Sequence, residues 1–291
     1  MNPVDDVAPG GGTPPLLEIT GLVKRFTGTL ALDQVDFDVR RGEVHALLGQ
    51  NGAGKSTLIK VLAGVYEADA GQIVFDRKPA QPGVDALPVA FIHQDLGLVE
   101  WMTIAENVAI QTGYPRSWSG LISWPKVKRA AADALSIMGS DLDPAAPISS
   151  LPAAERSLVA IGRALAIKSD IVVLDEPTAA LPEADVERLL ETLRRLRANN
   201  IGVVYVTHRL DEVLRIADRV TILRDGRRLA TVKASETNAG ELVQMIVGRS
   251  MVSRSCLQVR RRRWREASAS CRAGGPKRAS PQTSTCARTS I

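Results

Sequence analysis

The chain has 291 residues, 45% of them hydrophobic and 24% charged, enough for one large domain or two small ones with a real core, which excludes wholesale disorder. Its formal charge of +5 divides unevenly: residues 251–291 hold ten Lys+Arg and one acidic residue, leaving 27 basic against 31 acidic in residues 1–250. The basic excess belongs to a tail, so it gives no reason to expect nucleic acid on the body, and no apolar run approaches the roughly 18 residues of a membrane span.

Cys256, Cys271 and Cys286 all fall in that tail. A cysteine-free body suits a reducing compartment and excludes a disulfide framework. The N-terminus has neither a basic n-region nor an apolar h-region, so a cytoplasmic placement is expected.

Residues 1–15 (MNPVDDVAPGGGTPP) are Gly/Pro-rich and read as a flexible leader. Short hydrophobic strands are expected from Leu16 onward. Val44 to Leu48 is an apolar run entering a glycine-rich turn, followed by a helix from about Lys55 to Ala63. Val89 to Ile92 is a further short strand. A helical stretch follows from about Thr103 to Lys168, broken near Tyr114 to Pro125 and near Asp143 to Pro152, and reads as a subdomain inserted between the glycine-rich turn and later strands. Ile171 to Leu174 and Ile201 to Val206 are β-branched and do not alternate, as in a sheet covered on both faces. Between them Val186, Leu189, Leu190, Leu193 and Leu196 keep helical spacing over about 183–198, and strand, helix, strand in that order predicts parallel α/β architecture. Val220 to Leu223 and Arg228 to Val232 flank Arg224-Asp225-Gly226 as a closing hairpin. A last helix is expected over Ala239 to Val247. Periodicity vanishes after about Ser250, and no internal repeat is present.

Gly49 to Thr57 reads GQNGAGKST, a G-x-x-x-x-G-K-[ST] loop after a predicted strand and before a predicted helix. Gly52 and Gly54 permit backbone conformations that turn successive N–H groups toward phosphate oxygens. The following helix N-terminus adds partial positive charge. Lys55 can reach the β/γ-phosphates, and Ser56 can offer a hydroxyl to Mg²⁺. Gly49, Asn51 and Thr57 complete the phosphate-binding set.

Asp175 and Glu176 follow the strand Ile171 to Leu174, at the edge where parallel sheets bind ligands. Asp175 suits a Mg²⁺ shell, and Glu176 can orient and deprotonate an attacking water. His208 ends the neighbouring strand at the same edge, whereas His45 and His93 are expected to be structural. Gln94 follows Val89 to Ile92 and is ambiguous alone. Phe26 is a predicted loop aromatic, open to base stacking or to core packing.

Together these residues resemble the ATP-binding cassette (ABC) ATPases over about Leu16 to Arg249. The phrases GEVHALLGQNGAGKSTLIKVLAG and VLDEPTAALPEADVERL are similar to the first cassette of monosaccharide importers whose ATPase carries two fused cassettes. The resemblance implies an α/β phosphate-loop fold: a mostly parallel sheet core, an N-terminal antiparallel β part and a helical subdomain over about 95–168. It implies ATP and Mg²⁺ as ligands, Phe26 beside the base, and Gln94 with Ser56 and Asp175 near the metal. Glu176, His208 and Gln94 are the implied catalytic set. It implies import of a small solute, most readily a monosaccharide, by a subunit peripheral to the inner face of the cell membrane. The implied partners are separate permease subunits, a second cassette or a second copy of the chain, and indirectly a solute-binding protein. A soluble cassette acting on ribosomes or nucleic acid, and a nucleotide-binding remnant with little turnover, are the alternatives.

Two departures stand out. The signature expected as L-S-G-G-Q reads Leu151-Pro152-Ala153-Ala154-Glu155. Pro152 lacks both the hydroxyl and the N–H that would meet a γ-phosphate, though it is acceptable in a first helical turn, and Ala154 puts a Cβ where close approach is wanted. The second departure is residues 250–291, with nine Arg, seven Ser and hardly any aliphatics after Met251. They are expected to be disordered and to stand where a second cassette would follow, as after a frame change. A lipid- or RNA-binding role for Arg260 to Arg263 is the competing reading.

Overall fold

A computed structural model describes residues 14–248, except 83, 86, 94 and 180. The expectations for residues 1–13 of the leader, for Gln94 and for the tail after Gly248 thus lie outside the described residues. In chain order the strands are β1 (Leu17–Phe26), β2 (Thr29–Val39), β3 (Val44–Leu48), β4 (Ala70–Phe75), β5 (Lys78–Pro79), β6 (Val89–Ile92), β7 (Ile171–Asp175), β8 (Gly202–Val206), β9 (Arg219–Arg224) and β10 (Arg227–Lys233). The helices are α1 (Lys55–Leu62), α2 (Ile104–Thr112), α3 (Trp124–Ile137), α4 (Ala153–Ala166), α5 (Glu183–Ala198), α6 (Leu210–Ile216) and α7 (Ala239–Val247). The phosphate-loop helix, the helix over 183–198, the closing hairpin and the last helix stand where the sequence predicts them.

Two sheets result. An antiparallel one runs β2-β1-β4-β5, and a larger one runs β10-β9-β3-β8-β7-β6 with only β10 antiparallel to its neighbour. Side chains alternate along the central strands between two buried layers. Val172, Leu174, Val203 and Tyr205 pack with Leu189, Leu193 and Leu196 of α5. Val173, Val204 and Val206 face the opposite layer, with Leu58 and Ile59 of α1 and with Leu17, Leu22 and Val35 of the antiparallel sheet. Burial on both faces is why these strands read as unbroken apolar runs.

The helical stretch is three helices packed on one another. Ala105, Val108 and Ala109 of α2 meet Val127 and Ala131 of α3, while Val159, Ile161 and Leu165 of α4 join the layer under the main sheet. A capping box starts α2: Thr103 Oγ1 accepts the Glu106 N–H, and the Glu106 carboxylate accepts the Thr103 N–H. Those bonds hold the Glu106 carboxyl below the ordinary glutamate range. Among the described residues no helix is long and apolar enough to cross a membrane.

Candidate functional site

Strand register assembles the site. Leu47 of β3 lies opposite Val206 of β8, and Val206 lies opposite Asp175 of β7. The three strands therefore end at one edge, where they deliver Gly49, His208 and Glu176 to the same neighbourhood. This is the carboxyl edge at which open parallel sheets take ligands.

The loop between β3 and α1 needs its glycines for stated reasons. A Cβ at Gly49 would fall on the Leu223 carbonyl oxygen, and one at Gly54, where φ is 104°, would sit 2.8 Å from the Ala31 oxygen. Helix α1 begins at Gly54 with no side-chain cap and no acidic residue in its first turn, unlike α2 and α7, which are capped by Thr103 and Asn238. Its first N–H groups and positive dipole end are left for an anion.

A cleft of about 420 Å³ lies over this loop, lined by Asn51, Gly52, Gly54, Lys55, Ser56, Thr57, Asp175 and Glu176. Lys55 Nζ donates to the Gly49 and Gln50 carbonyls at 2.8 and 3.0 Å, so the ammonium rests on its own loop. Burial lowers the Lys55 pKa, while Glu176 and Asp175 pull it back up. Burial raises the Asp175 pKa, reinforced by Glu176 and opposed by His93, Lys55 and Lys60. Glu176 holds the left-handed region at φ 51°, a conformation costing a non-glycine residue on the order of 1 kcal/mol. Its N–H donates to the Val206 carbonyl at 2.8 Å, and its Oε1 lies 3.3 Å from His208 Nδ1. A carboxylate and an imidazole thus meet at the mouth of an anion-binding loop, suited to handling a proton beside bound phosphate.

Other expected residues fall differently. His208 touches Glu176 but is mostly exposed. Phe26 ends β1 rather than sitting in a loop, with its ring edge-on to Tyr66 at 5.1 Å between centroids, and it is not among the residues lining the cleft. His45 is fully buried, as a structural histidine would be, whereas His93 is exposed beyond β6. Pro152 is the residue capping α4, one position before the first helical turn. Ala154 is 5% exposed, so its Cβ is housed within this chain rather than projecting toward a partner.

Sequence reasoning missed Thr29, Leu30 and Ala31 from β2 and Asp225 and Gly226 from the β9–β10 turn, all of which line the cleft. The turn is anchored by long-range bonds, Asp33 N–H to the Gly226 carbonyl and Gly226 N–H to the Ala53 carbonyl. Only the Asp-Gly pair hinted at it, and only as a turn.

Ser56 and Asp175 offer hard oxygen donors on one cleft. That set fits Mg²⁺, which takes one or two protein ligands and completes its shell with water and substrate phosphate. Among the described residues no group of three or more His, Cys, Asp or Glu is gathered to hold a metal unaided.

Comparison with known proteins agrees with this geometry. A ribose import ATP-binding protein, RbsA 2 of Rubrobacter xylanophilus, is 44% identical over 248 residues, covering 84% of this chain and 48% of that protein. A protein of Burkholderia cenocepacia named for ribose, galactose and methyl galactoside import is 45% identical over 244 residues, covering 82% and 48%. The chain spans about half the length of these curated relatives. The crystal structure of the ADP conformation of MJ1267, an ATP-binding cassette of an ABC transporter, superposes with a TM-score of 0.70 at 25% identity, covering 81% of this chain and all of that one. The ABC transporter family profile matches residues 32–179. The chain belongs to the ABC transporter family, and its fold is that of the family's phosphate-loop ATPase cassettes.

Proposed function

We propose that this chain is an ATP-binding and ATP-hydrolysing subunit that powers import of a monosaccharide through separate permease subunits. It would lie on the cytoplasmic face of the membrane and receive solute indirectly from a solute-binding protein; no nucleic acid is expected. The observation that carries this reading is the convergence of Lys55, Asp175 and Glu176 on one cleft, with His208 against Glu176. The sugar-import names of the relatives support the cargo class.

The chemistry follows from the residues. ATP phosphates accept hydrogen bonds from the loop and the first turn of α1, and the Lys55 ammonium turns from its two carbonyls to phosphate oxygens. Mg²⁺, held by Ser56 and Asp175, and by Gln94 as the family resemblance implies, would neutralise charge on the phosphate chain. Glu176 takes the proton of the water attacking the γ-phosphate in line, and His208, beside Glu176, contacts the γ-phosphate and helps balance its charge. Phe26 stacking on the base belongs to the same reading.

A second cassette, or a second copy of this chain, would close the cleft. The exposed Pro152 at the start of α4 supports slow turnover by the chain alone, because it brings neither an N–H nor a hydroxyl to a partner's nucleotide. The parent is expected to hydrolyse MgATP slowly, and Glu176→Gln to bind it with parent affinity while turning over about 100-fold slower. Hydrolysis by Glu176→Gln at the parent rate refutes the assignment. Copurification with a permease supports the transport role, and copurification with RNA supports the ribosomal alternative.

A further inference from the structure

Glu212, in the first turn of α6, is fully buried, and the chemistry above gives it no role. Its carboxylate ties together three segments. Tyr205 of β8 donates its phenol to Glu212 Oε2 at 2.6 Å, and Thr178 donates its hydroxyl to the same oxygen at 2.9 Å. Arg209 Nη1 stands 3.0 Å from Oε1, an ion pair that lacks the alignment of a hydrogen bond. Burial, then the Glu212 carboxylate, raises the Tyr205 pKa far above the ordinary phenol value, so it stays a donor. A buried carboxylate persists only when paired, so this one holds its three partners in fixed relation.

Those partners flank the reacting groups. Thr178 lies two residues beyond Glu176, in the turn where Ala179 N–H donates to the Glu176 carbonyl and Leu181 N–H to the Thr178 carbonyl. Arg209 directly follows His208, and its N–H donates to Thr207 Oγ1. Tyr205 belongs to the strand that delivers His208 and whose Val206 carbonyl holds the Glu176 N–H. We propose that Glu212 is a positioning residue: it braces the Glu176 turn against the His208 turn and so sets the 3.3 Å approach of the two side chains. Its effect on catalysis rests on the hydrolytic reading above, but the bracing itself does not.

The two oxygens make the brace separable. In Glu212→Gln the remaining oxygen can still accept from Tyr205 and Thr178, while the amide N–H groups oppose Arg209. In Thr178→Val only the Glu176 side is released. Amide hydrogen exchange in the full chain reads each turn separately. Thr178→Val is expected to speed exchange at Ala179 and Leu181 at least tenfold and leave Arg209 and Val213 within twofold. Glu212→Gln should do the reverse, and Glu212→Leu should loosen both turns, with exchange in α1 unchanged throughout. Turnover of MgATP should fall at least tenfold in each variant, with MgATP affinity within twofold of the parent. Uniformly faster exchange that includes α1, or affinity falling in step with turnover, would reduce Glu212 to general stability and overturn the proposal. If Glu176→Gln hydrolyses like the parent, the hydrolytic reading fails, and the exchange pattern alone decides the bracing.

Discussion

His45 lies on β3, directly upstream of the phosphate loop, and makes the fold acid-sensitive in a way that can be measured. It is fully buried, with Nε2 2.8 Å from Thr221 Oγ1 and Nδ1 3.4 Å from Arg219 Nη2. The Thr221 hydroxyl can donate or accept, so its bond to Nε2 holds the neutral ring in either tautomer. Burial dominates and pushes the pKa down to about 4, although Glu43 and Asp38 pull upward against it, with Arg219 lowering it further. In the unfolded chain the imidazole titrates near its ordinary value of about 6.5. Between these values the unfolded state binds more protons, so stability rises with pH and is lost as pH falls below about 6.5. The loss attributable to His45 is about 2 kcal/mol between pH 7 and 5, and about 3 kcal/mol once pH falls below the folded value. Burial also tends to raise the Asp38 pKa, but Arg219 overcomes this and lowers it, so that its contribution is lost only below the ordinary carboxylate range, outside this window. Urea denaturation followed by tryptophan fluorescence at pH 7, 6 and 5 should show the parent losing about 2 kcal/mol more than His45→Gln, whose amide can donate to Thr221 and accept from Arg219 without titrating. Parallel curves for the two proteins would refute the reasoning.

Lys55→Ala removes the only side-chain cation of the phosphate loop, and calorimetric titration should find MgATP affinity reduced at least about tenfold with little change in melting temperature; unchanged affinity would sink the phosphate-site assignment. Pro152→Ser restores a hydroxyl and an N–H at the start of α4 and should raise steady-state hydrolysis by the chain alone, whereas a rate no faster than the parent's refutes the role given to Pro152. For residues 250–291, another forward reading frame of the coding DNA, opening near the Arg249 codon, should encode a second glycine-rich phosphate loop. If no frame does, the frame-change proposal falls and the lipid or RNA reading of Arg260 to Arg263 gains.

What could be read in advance was whatever a contiguous stretch of chain determines. The phosphate loop is nine consecutive residues whose spacing is its own geometry. The central strands announce themselves because Val172 and Val173, like Val203 and Val204, are buried on opposite faces. Helix α5 is legible because its apolar positions face one layer. Asp225 and Gly226 reach the cleft only through the pairing of a distant turn with β2 and the phosphate loop, and no local pattern encodes that meeting. Glu212 is the sharper case. In sequence it is one acidic residue in a stretch for which no element is predicted, and solvent exposure is the ordinary expectation for a glutamate. Only the tertiary fold, which brings the end of β8 and the turn after β7 to the start of α6, sets Tyr205 and Thr178 against it.

The departures in the segment Leu151 to Glu155 are unequal, and burial decides which of them matters. Leu151 and Ala154 face inward, so the chain itself accommodates them, and the expectation that the Ala154 Cβ blocks a partner does not hold. Pro152 and Ala153 face outward. Helix α4 has no side-chain cap, and its first backbone bond runs from Arg156 N–H to the Pro152 carbonyl. The N–H groups just inside the helix start therefore still point out of its end. In the same turn Glu155 places a carboxylate, which favours the helix dipole but repels an incoming phosphate. On the proposed reading, the weakening would arise from two terms at one helix end: the donors missing at Pro152 and the charge added at Glu155. Neither touches this chain's own phosphate loop, which lies on the separate cleft lined by Lys55 and Ser56. On the proposed reading, a defect of this kind would impair the nucleotide held by a partner and spare the nucleotide held here, so two copies of this chain would be a poorer pair than one copy with a cassette whose signature keeps its serine.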